Sequence, residues 1–199
     1  MDILLRQDRI PDALGKQLVD MYRDGSHDNV WRDYCIQYMS ACYDAVKPTG
    51  VETNAADIER KEIAKSYDEA LLEKDKTIAG TALIAVEQLS RDHAEFDRKH
   101  VGETALCLAT DDRCGEAARI TALRVCGMLG KSEVVPVARV LAQTGESVAL
   151  RMAAAATLGD LGEKADMELL QSLSAGSEKR VSTVASSAVA RLIKRIEGK

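Results

Sequence analysis

The chain has 199 residues, 46% of them hydrophobic, and its 27 Lys and Arg against 32 Asp and Glu leave a net charge of -5; it can bury a core, and it has no general electrostatic pull toward nucleic acid or anionic lipid. With 3 prolines, 13 glycines and no run of alternating β-branched residues, the composition excludes a sheet-rich fold and predicts an all-α one. Five cysteines without paired C-x-x-C spacing argue against a disulfide framework or a zinc site, and for reduced thiols in a cytoplasmic protein.

The N-terminal MDILLRQDRIPD lacks a basic region followed by an apolar run, so it does not read as a secretory signal, and no apolar stretch suits a membrane span. Residues 1–9 read as an arm or part-helix. Pro11 sits where a helix begins, and Ile10, Leu14, Leu18, Met21 and Tyr22 recur at helical steps up to Gly25. After the turn GSHDN, a longer helix is expected over about 30–46, with Trp31, Cys35, Ile36 and Met39 on one side. The loop KPTGVETN leads to its partner helix, about 55–73, carrying Ile58, Ile63, Tyr67, Leu71 and Leu72. A further pair is expected from about 75 to 110, split by the charged connection SRDHAEFDRK. Two regular pairs follow, 115–130 with 133–143 and 147–161 with 164–174, then a last helix over about 178–196. Ser147 suits a helix cap, and Pro136 falls in a first turn, where its missing N–H does least harm.

An internal repeat runs through the second half. Sliding ARITALRVCGMLG (118–130) onto LRMAAAATLGDLG (150–162) places Arg119 on Arg151, Ala122 on Ala154, Cys126 on Leu158, Leu129 on Leu161 and Gly130 on Gly162. A third copy matches Met152 to Val184, Ala156 to Ala188 and Leu161 to Ile193, and a looser match places Leu89 on Leu129. The helix from Ser147 carries two apolar stripes, which predicts burial between neighbouring repeats. Ser182, Thr183, Ser186 and Ser187, three of which stand where the preceding copy is apolar, read as the polar outer face of a terminal cap.

The pattern Arg-x-x-Ala-Ala-x-x-Leu-Gly-x-Leu-Gly followed by a short Leu-x-x-Leu helix, seen in LRMAAAATLGDLGEKADMELLQSL, resembles the short HEAT-like repeats of the phycobilin-lyase type, clearest over 114–195. SEVVPVARVL is similar to that family's second helix. The resemblance implies a right-handed α-solenoid of antiparallel helix pairs, HEAT-like or armadillo-like, whose second helices line a concave face that binds macromolecules. Within a single domain, 1–74 is an atypical cap and first pair, 75–110 the second repeat, 111–145 the third, 146–176 the fourth and 177–199 a capping helix. Arg119 and Arg151, equivalent in consecutive repeats, are expected to form a structural ladder with nearby carboxylates. The chain has no His-Glu dipeptide of the kind that binds iron in hydroxylase relatives, and no chromophore-handling residue can be mapped.

The leading expectation is therefore a non-enzymatic scaffold for a protein or peptide partner, needing no cofactor or metal and not binding nucleic acid. Polar positions of second helices, Glu103, Arg139, Gln143, Glu168, Gln171 and Ser172, are its candidate contacts. Trp31 and Tyr34 are added from a Trp31–Tyr34–Tyr38 stripe, which reads either as core filling, the favoured reading, or as a recognition anchor. The alternatives are a lyase-like or metal-dependent enzyme built on the solenoid, or a nucleic-acid scaffold using the basic cluster Lys179, Arg180, Arg191, Lys194, Arg195 and Lys199. That cluster is also suited to the dipole of its own helix. Asp92, His93, Glu95, Asp97 and His100 form the one cluster resembling a metal or acid–base site, and a solvated loop is the favoured reading of it.

Overall fold

A computed structural model describes residues 10–11, 13–73 and 76–198, and among them all regular structure is helical. The arm expected over 1–9 lies outside the described residues. The chain divides into two compact units, Met1–Asp97 and Arg98–Lys199.

The first unit contains α1 (Leu14–Arg23), α2 (Asn29–Ala45), α3 (Ala55–Leu71) and α4 (Lys76–Leu89). Helix α1 starts after Ala13, three residues beyond the proline that the sequence pointed to, with the Leu14 amide bonded to the Pro11 carbonyl at 3.2 Å. Asp28 and Asn54 cap α2 and α3 by accepting from the amides of Trp31 and Ala56, so each long helix begins where a short polar side chain replaces a missing backbone partner. Helix α2 packs against each of the other three. Its buried face consists of Cys35, Ile36, Met39, Cys42 and Tyr43, and the Tyr67 hydroxyl of α3 donates to the Ile36 carbonyl at 3.1 Å. Trp31, expected on that face, is 51% exposed.

The second unit contains α5 (Arg98–Thr110), α6 (Glu116–Leu129), α7 (Val135–Thr144), α8 (Val148–Leu161), α9 (Met167–Ser174) and α10 (Lys179–Glu197). Short 3-10 turns at Ser132–Val134 and Lys164–Asp166 lead into α7 and α9, and Pro136 lies in the first turn of α7. Helices α6, α8 and α10 pack side by side, while α5 lies on α6, α7 on α8 and α9 on α10. These helical pairs, repeated in register, make an all-α fold of the α-solenoid class.

Helix α8 is the interior of this stack. Ser147 caps it through the Leu150 amide at 3.0 Å, and of its residues only Ala149 and Asp160 are exposed. The buried Thr157 hydroxyl donates to its own helix at Ala153 and reaches the Leu123 carbonyl of α6 at 3.2 Å. On the other side α10 approaches so closely that a methyl group at Gly159 would lie 2.7 Å from the Ala188 Cα. Burial on two sides explains why the apolar residues of α8 occupy no single stripe. Helix α10 differs. It buries Val181, Ala185, Ala188 and Leu192, while Thr183, Ser186 and Ser187 are exposed and bond back to carbonyls one turn earlier.

The arginine ladder has different partners from those expected. Arg119 donates to the Ala109 carbonyl and Arg151 to the Ala142 carbonyl, both at 3.4 Å. In the next copy the buried faces match at a step one residue shorter than the sequence repeat, which places Ser182 on Arg151, and its hydroxyl donates to the Ser174 carbonyl. The partners are the last turns of α5, α7 and α9. A helix end leaves carbonyls without intrahelical donors and carries partial negative charge, so the C-terminal backbone can take the place of a carboxylate.

Candidate functional site

Because Ala109, Ala142 and Ser174 receive equivalent bonds, they fix a common register for α5, α7 and α9. In that register Cys107, Val140 and Ser172 are equivalent, and all three are exposed. So are Glu103, Pro136 and Glu168 one turn earlier, and Thr110, Gln143 and Ala175 one step later. Three short helices thus present the same three rows to solvent. The middle row is small and uncharged, with Val140 59% exposed, and the row at the N-terminal end carries two carboxylates. Such a surface can accept a chain lying across the helices, with side-chain amides and hydroxyls at its edges as hydrogen-bond partners.

Of the residues expected from sequence, Glu103, Gln143, Glu168, Gln171 and Ser172 are exposed on these three helices. Arg139 of α7 is already engaged within the protein. It donates in a bidentate pair to the buried carboxylate of Asp166, with the second contact at 3.1 Å. Asp166 also accepts from the Glu163 amide at 2.7 Å, closing a capping box at the turn into α9. Burial works to raise the Asp166 carboxyl, but the bonds from Arg139 and the Glu163 amide outweigh it and hold the group below the usual carboxylate range. Sequence reasoning missed Cys107 and Val140 because it sought polar positions; the repeat register was the signal that would have found them.

The basic cluster of α10 is partly consumed in the same way. Arg191 donates to Asp160 at 2.7 Å and to the Ala156 carbonyl at 3.1 Å, and Arg195 donates to the Gly162 carbonyl. Two of its cations therefore hold α10 against α8.

In the first unit, the segment around His93 is largely exposed, and it is also pinned to α2 and α3 by side-chain bonds. Arg60 of α3 is buried; its guanidinium lies 3.8 Å from the centre of the Tyr43 ring and donates to the carbonyls of Tyr43 at 2.8 Å and Val46 at 2.9 Å. It also donates to Glu95 at 2.7 Å, and the Tyr43 hydroxyl donates to the same carboxylate. His93 lies between Asp44, at 2.7 Å from Nε2, and Arg60, at 3.4 Å from Nδ1. A guanidinium only donates and a carboxylate only accepts, so a neutral ring with its proton on Nε2 satisfies both contacts. Phe96 closes the cluster, 5.1 Å from the Tyr43 ring and 6.2 Å from Tyr67. Asp92, Asp97 and His100 are exposed, and among the described residues no group of three His, Cys, Asp or Glu side chains gathers where a metal could sit. Arg60 was invisible to a sequence reading because its partners lie 14 to 35 residues away, on other elements.

The aromatic stripe of α2 is not core. Trp31 and Tyr34 are 51% and 46% exposed and Tyr38 is half-buried, whereas Tyr22, Tyr43, Tyr67 and Phe96 supply the buried rings. A separate cleft of about 1020 Å³ is lined by Val19 of α1, Val46 after α2, and Ala56 and Ile58 of α3. Its rim includes Lys16, Lys47, Glu59 and Glu62, so it has no single charge preference. No helix among the described residues is long and apolar enough to cross a membrane.

Compared with known families, residues 103–190 match the model of HEAT repeats. The match covers α6, α7, α8 and α9 whole and most of α5 and α10. No curated protein and no solved structure matches the chain.

Proposed function

We propose that the second unit, which is a HEAT-repeat array over residues 103–190, is a non-enzymatic scaffold that binds a protein or peptide across the exposed faces of α5, α7 and α9. HEAT repeats form scaffolds that commonly serve protein interaction, and a stack whose first helices are spent on mutual packing leaves its second helices as the surface for a partner. The observation that carries the reading is the register of exposed positions: Cys107, Val140 and Ser172 in one row, flanked by Glu103 and Glu168 and by Gln143. Gln171 lies beside this row, and Arg139 shapes the face by holding the α9 turn.

Site-specific photocrosslinking tests it. A crosslinking residue at Ser172, exposed in the same row as Val140, should capture one partner in a stoichiometric adduct, and the same residue at the exposed Thr183 of α10 should not. Val140→Asp should abolish that adduct while leaving the helical signal and unfolding midpoint intact, because Val140 is 59% exposed. Equal capture from both positions, or an adduct indifferent to Val140→Asp, contradicts the proposal.

A further inference from the structure

A second surface lies on the other unit. The buried side of α2 is complete with Cys35, Ile36, Met39, Cys42 and Tyr43, yet Val30, Trp31 and Tyr34 stand outward at 64%, 51% and 46% exposure. Clustered large apolar side chains left in water mark interaction surfaces, and Trp and Tyr are the residues most enriched at binding hot spots. The rings are already arranged: Trp31 and Tyr34 meet edge to face at 6.5 Å, and Tyr34 and Tyr38 stack at 6.4 Å with planes 23° apart. Each ring ordered in advance lowers the entropy cost of receiving a partner.

Charge says what that partner is. Residues 1–97 hold 12 Lys and Arg against 20 Asp and Glu, a balance of -8 for the unit that carries the ladder. The only cation of α2, Arg32, is taken: it donates to Glu73, to the Tyr22 carbonyl at 2.9 Å and to Asn29, and it lies over the Tyr22 ring. Aromatic faces are themselves negative, so the rings and the field around them favour the same ligand charge. We propose that the Trp31–Tyr34–Tyr38 ladder is a docking surface for a cationic, arginine-bearing peptide segment, whose planar guanidinium groups stack on the exposed rings. The ladder spans seven helical residues, roughly 10 Å, and arginines at alternate positions of an extended peptide lie about 7 Å apart, matching neighbouring rings. This surface is independent of the scaffold face on the second unit, so either reading can fail alone.

Trp31 is the sole tryptophan of the chain, and its fluorescence reports on the site directly. Titration of the full chain with the peptide Gly-Arg-Ser-Arg-Gly should change Trp31 emission saturably, with affinity that falls as salt rises. The same peptide with citrulline, which keeps the shape of arginine but not its charge, should give no saturable change, and neither should one with glutamate. Tyr34→Leu keeps the reporter and an apolar side chain while removing a ring, and it should weaken the arginine peptide at least about threefold with an unchanged helical spectrum. Absence of a saturable response, equal binding of the citrulline peptide, or unchanged affinity in Tyr34→Leu would overturn the proposal.

Discussion

Arg60 covers the ring of Tyr43 and at the same time donates to the Tyr43 carbonyl, so one buried side chain caps a ring and closes the end of the helix that carries it. The Val46 carbonyl and Glu95 complete its partners. Arg60→Ala should therefore cost about 2–4 kcal/mol, because it leaves two carbonyls and a carboxylate without their donor. Glu95→Gln should cost less, about 1 kcal/mol or below, since the Glu95 side chain is half-exposed and water can replace its bonds. Urea unfolding of both variants checks the order; equal costs would mean that the carboxylate, not the carbonyls, dominates the cluster.

The same cluster predicts an acid response. Burial works to raise the Glu95 carboxyl, but the bonds from Tyr43, from its own amide and from Arg60 win and pull it down to about 2 from an ordinary 4.5. A group with a depressed folded-state value contributes stability that is complete above its unfolded value and is lost as pH falls through the folded one. Stability should thus decline between about pH 4.5 and 2, and Glu95→Gln should flatten part of that decline. Asp166, also held low by its partners, adds a loss of the same sign in the second unit, which Asp166→Asn would remove at a cost in stability at neutral pH. Unfolding curves collected across this pH range test both signs.

Two glycines of the repeat separate packing from propensity. At Gly159 a methyl group would meet the Ala188 backbone at 2.7 Å, whereas at Gly127 the nearest atom is a side-chain oxygen of Asp160 at 3.4 Å. Gly159→Ala should destabilise by about 1–3 kcal/mol through overpacking. Gly127→Ala should be neutral or stabilise by up to about 1 kcal/mol, because a helical residue gains rigidity with little crowding. Thermal melts of the pair decide this, and destabilisation by both would place α6 closer to its neighbours than the structure does.

The thiols should react in two classes. Cys107 is exposed, while Cys35, Cys42, Cys114 and Cys126 are buried; burial pushes Cys42 up to about 11 and Cys126 up to about 12, which suppresses the reactive thiolate. One equivalent of a thiol reagent should react rapidly with the native protein, and Cys107→Ser should remove it. The remaining thiols should appear only on unfolding.

Leu158, fully buried in α8, tests the stack itself. Leu158→Ala should cost about 2–5 kcal/mol, and hydrogen exchange should rise in α6 and α10 as well as in α8, since adjoining repeats share one core. A loss of protection confined to α8 would contradict that sharing.

The all-α class, the recurring helices of the second half and the interior position of α8 were legible in the residues alone. Which helices pair was not, since α7 lies on α8 and α9 on α10 where the sequence pairs α6 with α7 and α8 with α9. Helical periodicity and a recurring pattern such as Arg119 with Arg151 are properties of local sequence, and they survive without knowledge of distant contacts. The Ser147 cap and the position of Pro136 were legible for the same reason. What a given side chain touches was not. The ladder arginines meet carbonyls, Arg139 is spent on Asp166, and His93 is held by Asp44 and Arg60, because each of these pairings joins residues brought together only when helices pack. The outward turn of Trp31 and Tyr34 was decided in the same way: a helix with apolar residues around much of its surface does not declare which side faces the core until its neighbours take their places. Sequence determined the repeating unit, since its signals are local; tertiary structure decided which surfaces remained for a partner, since that depends on what packing had already consumed.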